Sequence, residues 1–217
     1  MKTVIAIIAA LVMASSANAS DIYTPNNAYQ ESPQILFDGL GIDVGAGYAM
    51  TAVEISDPDG PEYFRGISAD GLTGVVGIDY MFVAGRFRVG PYAEYGLADV
   101  TTEVDFGTGG IDVLKQDAFY GGGAMFGFVE GTSFFGVRVG YEHQNWEFAE
   151  TVDVNAEALL VGLVYSMAIL DSMELKLTVD ALNYYNIEAG DTDLSPVFDD
   201  SLQGRAMARI VWRPNFN

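Results

Sequence analysis

The sequence predicts an all-β chain folded as an eight-stranded antiparallel up-and-down transmembrane β-barrel. Three observations carry this reading. Eight segments alternate apolar and polar residues with period two, the connections between them alternate long and short, and the charges share one strand face with most of the glycines. A strand sends successive side chains to opposite faces, so the alternation separates an apolar face from a charged one. Residues 86–98 show it most clearly. Phe87, Val89, Pro91, Ala93, Tyr95 and Leu97 take one parity, and Arg86, Arg88, Gly90, Tyr92, Glu94, Gly96 and Ala98 take the other.

Residues 1–19 read as a secretory signal peptide: Lys2, an apolar run from Val4 to Ala14, and the small-x-small site Ala17-Asn18-Ala19. That run is well short of the roughly 20 residues of a spanning helix. Residues 20–35 are polar, contain Pro25 and Pro33, and lack periodicity, which predicts a flexible N-terminal segment ahead of a barrel over 36–217. The longest later apolar run, Ala156 to Leu170, contains Glu157 and Gly162, so no spanning helix is expected. The chain has no cysteine, so packing and backbone pairing must hold an exported fold together.

The first strand segment, 36–56, sets Leu40, Ile42, Val44, Ala46, Tyr48 and Met50 against Gly41, Asp43, Gly45 and Gly47. A long polar connection leads to the second, 72–83, where Val76, Ile78, Tyr80 and Phe82 oppose Gly77, Asp79 and Met81. Ala84-Gly85 then turns the chain tightly into the third segment. After a second long connection, the fourth, 119–129, has Tyr120, Phe126 and Phe128 on its apolar side, and a short turn at Glu130-Gly131-Thr132 follows. The fifth, 134–148, separates Phe135, Val137, Val139 and Tyr141 from Arg138, Glu142 and Gln144. The sixth, 157–169, carries Leu159, Val161, Leu163, Tyr165 and Met167 on one side, although its Ala and Leu content also suits a helix. After Asp171-Ser172-Met173, the seventh, 174–187, opposes Leu175, Leu177 and Val179 to Lys176, Thr178 and Asp180. The last, 202–216, opposes Ala206, Ala208, Ile210 and Trp212 to Arg205, Met207, Arg209 and Arg213. Long loops at one end and tight turns at the other, with an even strand count, form the layout of an outer-membrane barrel.

The charges fit the same layout. Arg86, Arg88, Arg138, Lys176, Arg205, Arg209 and Arg213 fall on the non-apolar parity, while Arg65 and Lys115 fall in expected loops. Asp43, Asp79, Glu94, Glu142 and Asp180 join the basic set, and most other acids crowd the loops. The interior of an eight-stranded barrel is just wide enough to be filled by side chains, so charges there must be paired. The expected lumen network is Asp43, Asp79, Arg88, Glu94, Arg138, Glu142, Lys176, Asp180, Arg205 and Arg209, with Asp79, Arg88, Arg138, Asp180 and Arg209 at similar heights. A soluble barrel would instead turn the apolar face inward. Two features favour the membrane form. Glycines share the charged parity, where a narrow interior needs small residues beside long ones, and Tyr48, Tyr80, Tyr95, Tyr141, Tyr165 and Trp212 sit near the ends of the apolar faces as interface girdles do.

With its Gly90-Pro91-Tyr92-Ala93-Glu94-Tyr95-Gly96 strand and aromatic-rich terminus, Ile210 to Asn217, the chain resembles the small eight-stranded outer-membrane barrels that include the OmpA transmembrane domain, OmpX and the opacity or porin-like surface proteins. The resemblance implies residence in the cell outer membrane among lipid and lipopolysaccharide, and insertion by the barrel-insertion machinery. It also implies a non-enzymatic surface role for acidic extracellular loops, whose partner the sequence does not name. The alternative is a narrow channel or carrier for small or apolar solutes. A further alternative is a lipid A-modifying enzyme, since some such barrels are deacylases with a lipid-facing His and Ser. His143 has the required parity, but Asn145 stands where that motif has serine, and acyl transfer needs a nucleophile with its base.

A net charge of −20 excludes phosphate-neutralising nucleic-acid binding. No cofactor or metal site is expected. Asp57-Pro58-Asp59-Gly60 begins like a calcium loop but lacks the later ligands, and Asp191, Asp193, Asp199 and Asp200 read as a solvated acidic rim. The glycine runs are not followed by a helix within a βαβ unit, so they are not nucleotide loops.

Overall fold

A computed structural model describes residues 37–55, 65–105, 111–148, 152–190, 192–193, 195 and 201–214, without the side chains of 53–55, 65–67, 102–105 and 111–113. Every described residue belongs to one compact unit, Pro33–Asn217. The signal peptide, the 20–35 segment, the Asp57–Gly60 motif, Asp191, Asp199, Asp200 and the terminal Phe216-Asn217 therefore lie outside the described residues.

Nine strands follow one another: β1 (Gly39–Ile55), β2 (Arg65–Ala84), β3 (Phe87–Asp105), β4 (Ile111–Glu130), β5 (Ser133–Phe148), β6 (Val152–Leu170), β7 (Met173–Ala189), the two-residue β8 (Thr192–Asp193) and β9 (Leu202–Trp212). Each strand from β1 to β7 pairs antiparallel with the next, β9 pairs with both β7 and β1, and β8 rests on the end of β7. The eight long strands thus close into a ring. Closure removes every sheet edge, which a membrane requires because lipid offers backbone groups no hydrogen-bond partner.

Two-residue turns join β2 to β3, β4 to β5 and β6 to β7 at one end. Gly85 and Gly131 open the first two of these with φ of 66° and 60°, where a side chain would be strained. The connections at the other end are longer but shorter than the sequence suggests, because β2 already starts at Arg65 and β4 at Ile111. Arg65 and Lys115, expected in loops, accordingly stand in strands. Residues 157–169, helix-compatible by composition, lie in β6, where pairing to β5 and β7 overrides propensity. With 20 residues in β2 and β4, against the 9–11 that cross a bilayer, the strands continue beyond the membrane at the loop end.

Side-chain directions obey the alternation. Leu72, Val76, Ile78, Tyr80 and Phe82 of β2 face outward, as do Phe87, Val89, Tyr95 and Leu97 of β3 and Leu159 and Val161 of β6; Leu72 is 69% exposed. Asp43, Asp79, Arg88, Glu94, Arg138, Glu142, Lys176, Asp180, Arg205 and Arg209 are all buried inside. Proteins in water bury the first set and expose the second, so the apolar exterior belongs against lipid. Arg86 is an exception to its parity: it sits in the turn before β3 and is exposed.

Candidate functional site

Among the described residues the buried ionisable side chains gather in the barrel interior, and β9 serves as its ruler. From loop end to turn end its inward side chains are Gln203, Arg205, Met207, Arg209, Val211 and Arg213. Each arginine meets carboxylates delivered both by strands next to β9 and by strands farther around the ring. Arg205 donates through Nη2 to Glu142 Oε2 at 2.7 Å and Glu94 Oε1 at 3.2 Å. The Arg209 Nη1 atom lies 2.7 Å from Glu94 Oε2 and 3.3 Å from Asp43 Oδ1. At the turn end, Arg213 donates to Asp79 Oδ1 at 2.8 Å and to Glu174.

Two more cations tie these levels together. Lys176 Nζ bridges Asp43 Oδ2 at 3.0 Å and Asp79 Oδ2 at 2.6 Å. Arg138 donates to Glu94 Oε2 at 2.9 Å and, through both Nε and Nη2, to Asp180. A continuous chain of pairs therefore runs Glu174–Arg213–Asp79–Lys176–Asp43–Arg209–Glu94, then forks to Arg138 with Asp180 and to Arg205 with Glu142. Glu94 is its branch point, shared by three arginines. Such sharing offsets the loss of water around ions that are nearly all below 6% exposed.

Glycines make room for it. A Cβ on Gly77 would stand 2.7 Å from Asp43 Oδ1, and one on Gly162 would overlap the Asp180 carboxylate. The sequence pattern places glycine and charge on one face for this reason: the ring is too narrow for two long side chains at adjacent positions.

Nine of the ten residues singled out from the sequence are joined in this chain. Arg88 stands apart from it. It is the first inward residue after the β2–β3 turn, and its Nη1 donates to Gly85 O at 2.9 Å and Phe87 O at 3.0 Å. Hence Asp79, Arg88, Arg138, Asp180 and Arg209 do not share one height. Arg138 and Asp180 pair directly, Asp79 lies a step nearer the turns, and Arg88 lies at the turn itself. Glu174 was missed, although it has the parity of Lys176 and Asp180 and that parity alone would have found it.

A neutral layer closes the charged section toward the loops, while nearer the turns apolar side chains share the interior with the ion pairs. Toward the loops, Gln144 Nε2 donates to Glu142 Oε1 and to Gln203 Oε1, each at 2.8 Å, while its Oε1 accepts from Trp146 Nε1 at 3.0 Å and Tyr184 OH at 2.6 Å. Gln203 Nε2 continues to Thr51 Oγ1 and Gln116 Oε1. Beyond this amide layer lies an apolar cluster that includes Val100, Trp146, Leu160, Leu182, Tyr184 and Ile187. Toward the turns, Phe37, Met81, Tyr92, Met125, Phe134 and Val164 form a second apolar cluster.

No protein-family model matches the chain, and no curated protein matches it. Among solved structures it is similar to Neisserial surface protein A, with a TM-score of 0.51 and 13% identity over 82% of this chain and 98% of that one. It also matches Ail, the attachment invasion locus protein of Yersinia pestis (TM-score 0.46, 14% identity, 81% and 98% covered) and the outer membrane protein OprG of Pseudomonas aeruginosa (0.45, 14%, 82% and 95%). At these identities the likeness concerns fold. The closed ring, the apolar outer band and the ion-filled interior, with the likeness to Neisserial surface protein A, give the chain the fold of a small eight-stranded transmembrane β-barrel.

Proposed function

We propose that the protein is a non-enzymatic, non-conducting barrel that holds acidic loops at the cell surface. The observation that carries this is the filled lumen: ion pairs with an apolar cluster beside them, then an amide layer and another apolar cluster toward the loops, occupy the interior. Any ion crossing it would have to displace side chains that already pair with one another. The charge balance supports the surface half of the proposal. Among the described residues six basic and six acidic side chains are buried, out of 10 basic and 30 acidic in the chain, so the excess negative charge is carried elsewhere. Asp70, Asp99, Asp153, Glu188 and Asp193 are exposed toward the loop end. A surface of one sign steers encounter with oppositely charged partners and repels its own kind.

Against catalysis stands the arrangement at His143, whose two-residue neighbour on the outer face is Asn145 rather than a nucleophile. Single-channel recording in planar bilayers tests the closed lumen. The expected result is no steady opening for the wild type, with Arg138→Glu lowering stability rather than changing a conductance. Steady, large openings whose ion selectivity changes in Arg138→Glu would establish a channel instead.

A further inference from the structure

On the outer wall, polar side chains interrupt the tyrosine girdle near the loop ends of β4 to β7. Tyr120 stands opposite His143, His143 opposite Glu157, and Glu157 opposite Asn186. The β6–β7 register shifts at this point, pairing Glu157 with Asn186 but Ala158 with Tyr184, so Tyr185 is the extra residue of a bulge. Bulges re-aim side chains, and this one sets both Tyr185 and Asn186 against Glu157. Tyr141 OH donates to Glu157 Oε1 at 2.9 Å and Asn186 Nδ2 to Glu157 Oε2 at 3.3 Å. The Tyr120 and His143 rings lie 4.9 Å apart, and those of Tyr141 and Tyr185 6.4 Å apart.

Hydrogen-bonding capacity is left over here. Neither imidazole nitrogen of His143 has a hydrogen-bond partner among the described residues. Glu157 accepts from Tyr141 on Oε1 and from Asn186 on Oε2, the Tyr185 hydroxyl also reaches the carboxylate, and its roughly four lone-pair sites leave one for a further donor. A carboxylate and an imidazole between aromatic rings suit a molecule with several hydroxyl or amide donors and a flat C–H face. That is the chemistry of a sugar ring. A phosphate, by contrast, would meet the Glu157 charge with no Lys or Arg in the cluster to offset it, so any phosphates carried on the sugar must point away from the ledge.

The height fits as well. His143 follows Phe135, which belongs to the aromatic group at the turn end, by eight residues. Eight residues span about 27 Å along a strand and, at a tilt of about 40°, about 21 Å across the membrane. An apolar band is about 25 Å tall, so His143 and Glu157 reach its upper edge, where the headgroups of the outer leaflet begin.

We propose that this ledge binds the sugar headgroup of an outer-leaflet glycolipid, with a pyranose ring lying against His143 and one of its hydroxyls donating to Glu157. The proposal rests on the outward orientation of the wall and not on whether the lumen conducts. His143 is the chain's one histidine, so its imidazole gives a single assignable NMR signal. The full chain is reconstituted in phosphatidylcholine nanodiscs, and lipid A or phosphatidylglycerol is added. Lipid A is expected to move the His143 signal and phosphatidylglycerol to leave it in place. By native mass spectrometry, Glu157→Gln is expected to retain about tenfold less lipid A, the loss of one hydrogen bond to a charged group. Heat-modifiable gel migration checks folding; should Glu157→Gln not fold, His143→Phe, which keeps the stacking ring, is expected to show a similar loss. An unmoved signal, an equal movement by phosphatidylglycerol, or unchanged lipid A retention in the folded variant would overturn the proposal.

Discussion

Arg205 and Glu142 are joined by two hydrogen bonds inside the barrel, Nη1 to Oε1 at 3.1 Å and Nη2 to Oε2 at 2.7 Å, and Glu142 is 0% exposed. Two-point contact between a guanidinium and a carboxylate fixes orientation as well as distance. Since both ions have lost their water, the pair matters most when it is broken.

Glu142→Gln leaves Arg205 with Glu94 at 3.2 Å and Asp180 at 3.6 Å, both already engaged by Arg138. Removing one partner of a buried pair costs about 3–5 kcal/mol. Urea unfolding of protein inserted in lipid vesicles should show a loss of that size. Replacing both residues by methionine should recover most of it, because a well-packed apolar pair removes the uncompensated charge. A double variant as unstable as the single one would mean that the pair is needed for more than neutralisation.

A second test concerns the stack above that pair. The Arg205 guanidinium lies 4.3 Å from the centre of the Phe119 ring, and the Cζ end of that ring occupies the space in front of Gly96. A Cβ at position 96 would overlap the ring. Gly96→Ala should therefore displace Phe119 from its place against Arg205 and lower stability by about 1–3 kcal/mol, the usual cost of overpacking. Adding Phe119→Leu should restore part of it, and urea midpoints of the three proteins decide the matter.

The fold was legible in the sequence because lipid reverses the usual rule of burial and leaves period two undisturbed over whole strands. Phe87 to Leu97 and Arg88 to Gly96 read as two faces before any coordinate is consulted, and those faces are what the structure shows. Parity names the inward residues but not their heights, because the stagger between neighbouring strands is set around the closed ring. For that reason Arg88 was grouped with Arg138, although the turn at Gly85-Arg86 puts it at the barrel's end. The amide layer around Gln144 was also invisible as a unit. Its members come from five strands, and neutral polar residues on a charged face give no signal of their own. Strand ends were read too short at the loop side, since Lys115 and Asp117 look like loop residues until their 2.9 Å pairing on β4 is seen.

The orientation of the wall gives the last prediction. Val161 is 59% exposed, pairs with Val139 on β5 and Ala181 on β7, and lies midway along the outward face of β6 between Tyr165 and Glu157. Arginine placed there must either hold a charge in hydrocarbon or reach past several residues to water. Near the midplane this costs about 2–4 kcal/mol, whereas near the interface the cost falls to about 0–1. Val161→Arg should therefore destabilise the vesicle-inserted barrel severalfold more than Asn155→Arg, on the same outward face of β6 but nearer its loop end, beyond Glu157, where the wall leaves the membrane. In a barrel with its apolar face on a shared interior, both substitutions would face water or both would face the core, and the difference would vanish. Equal unfolding free energies for the two variants would contradict the lipid-facing assignment of β6.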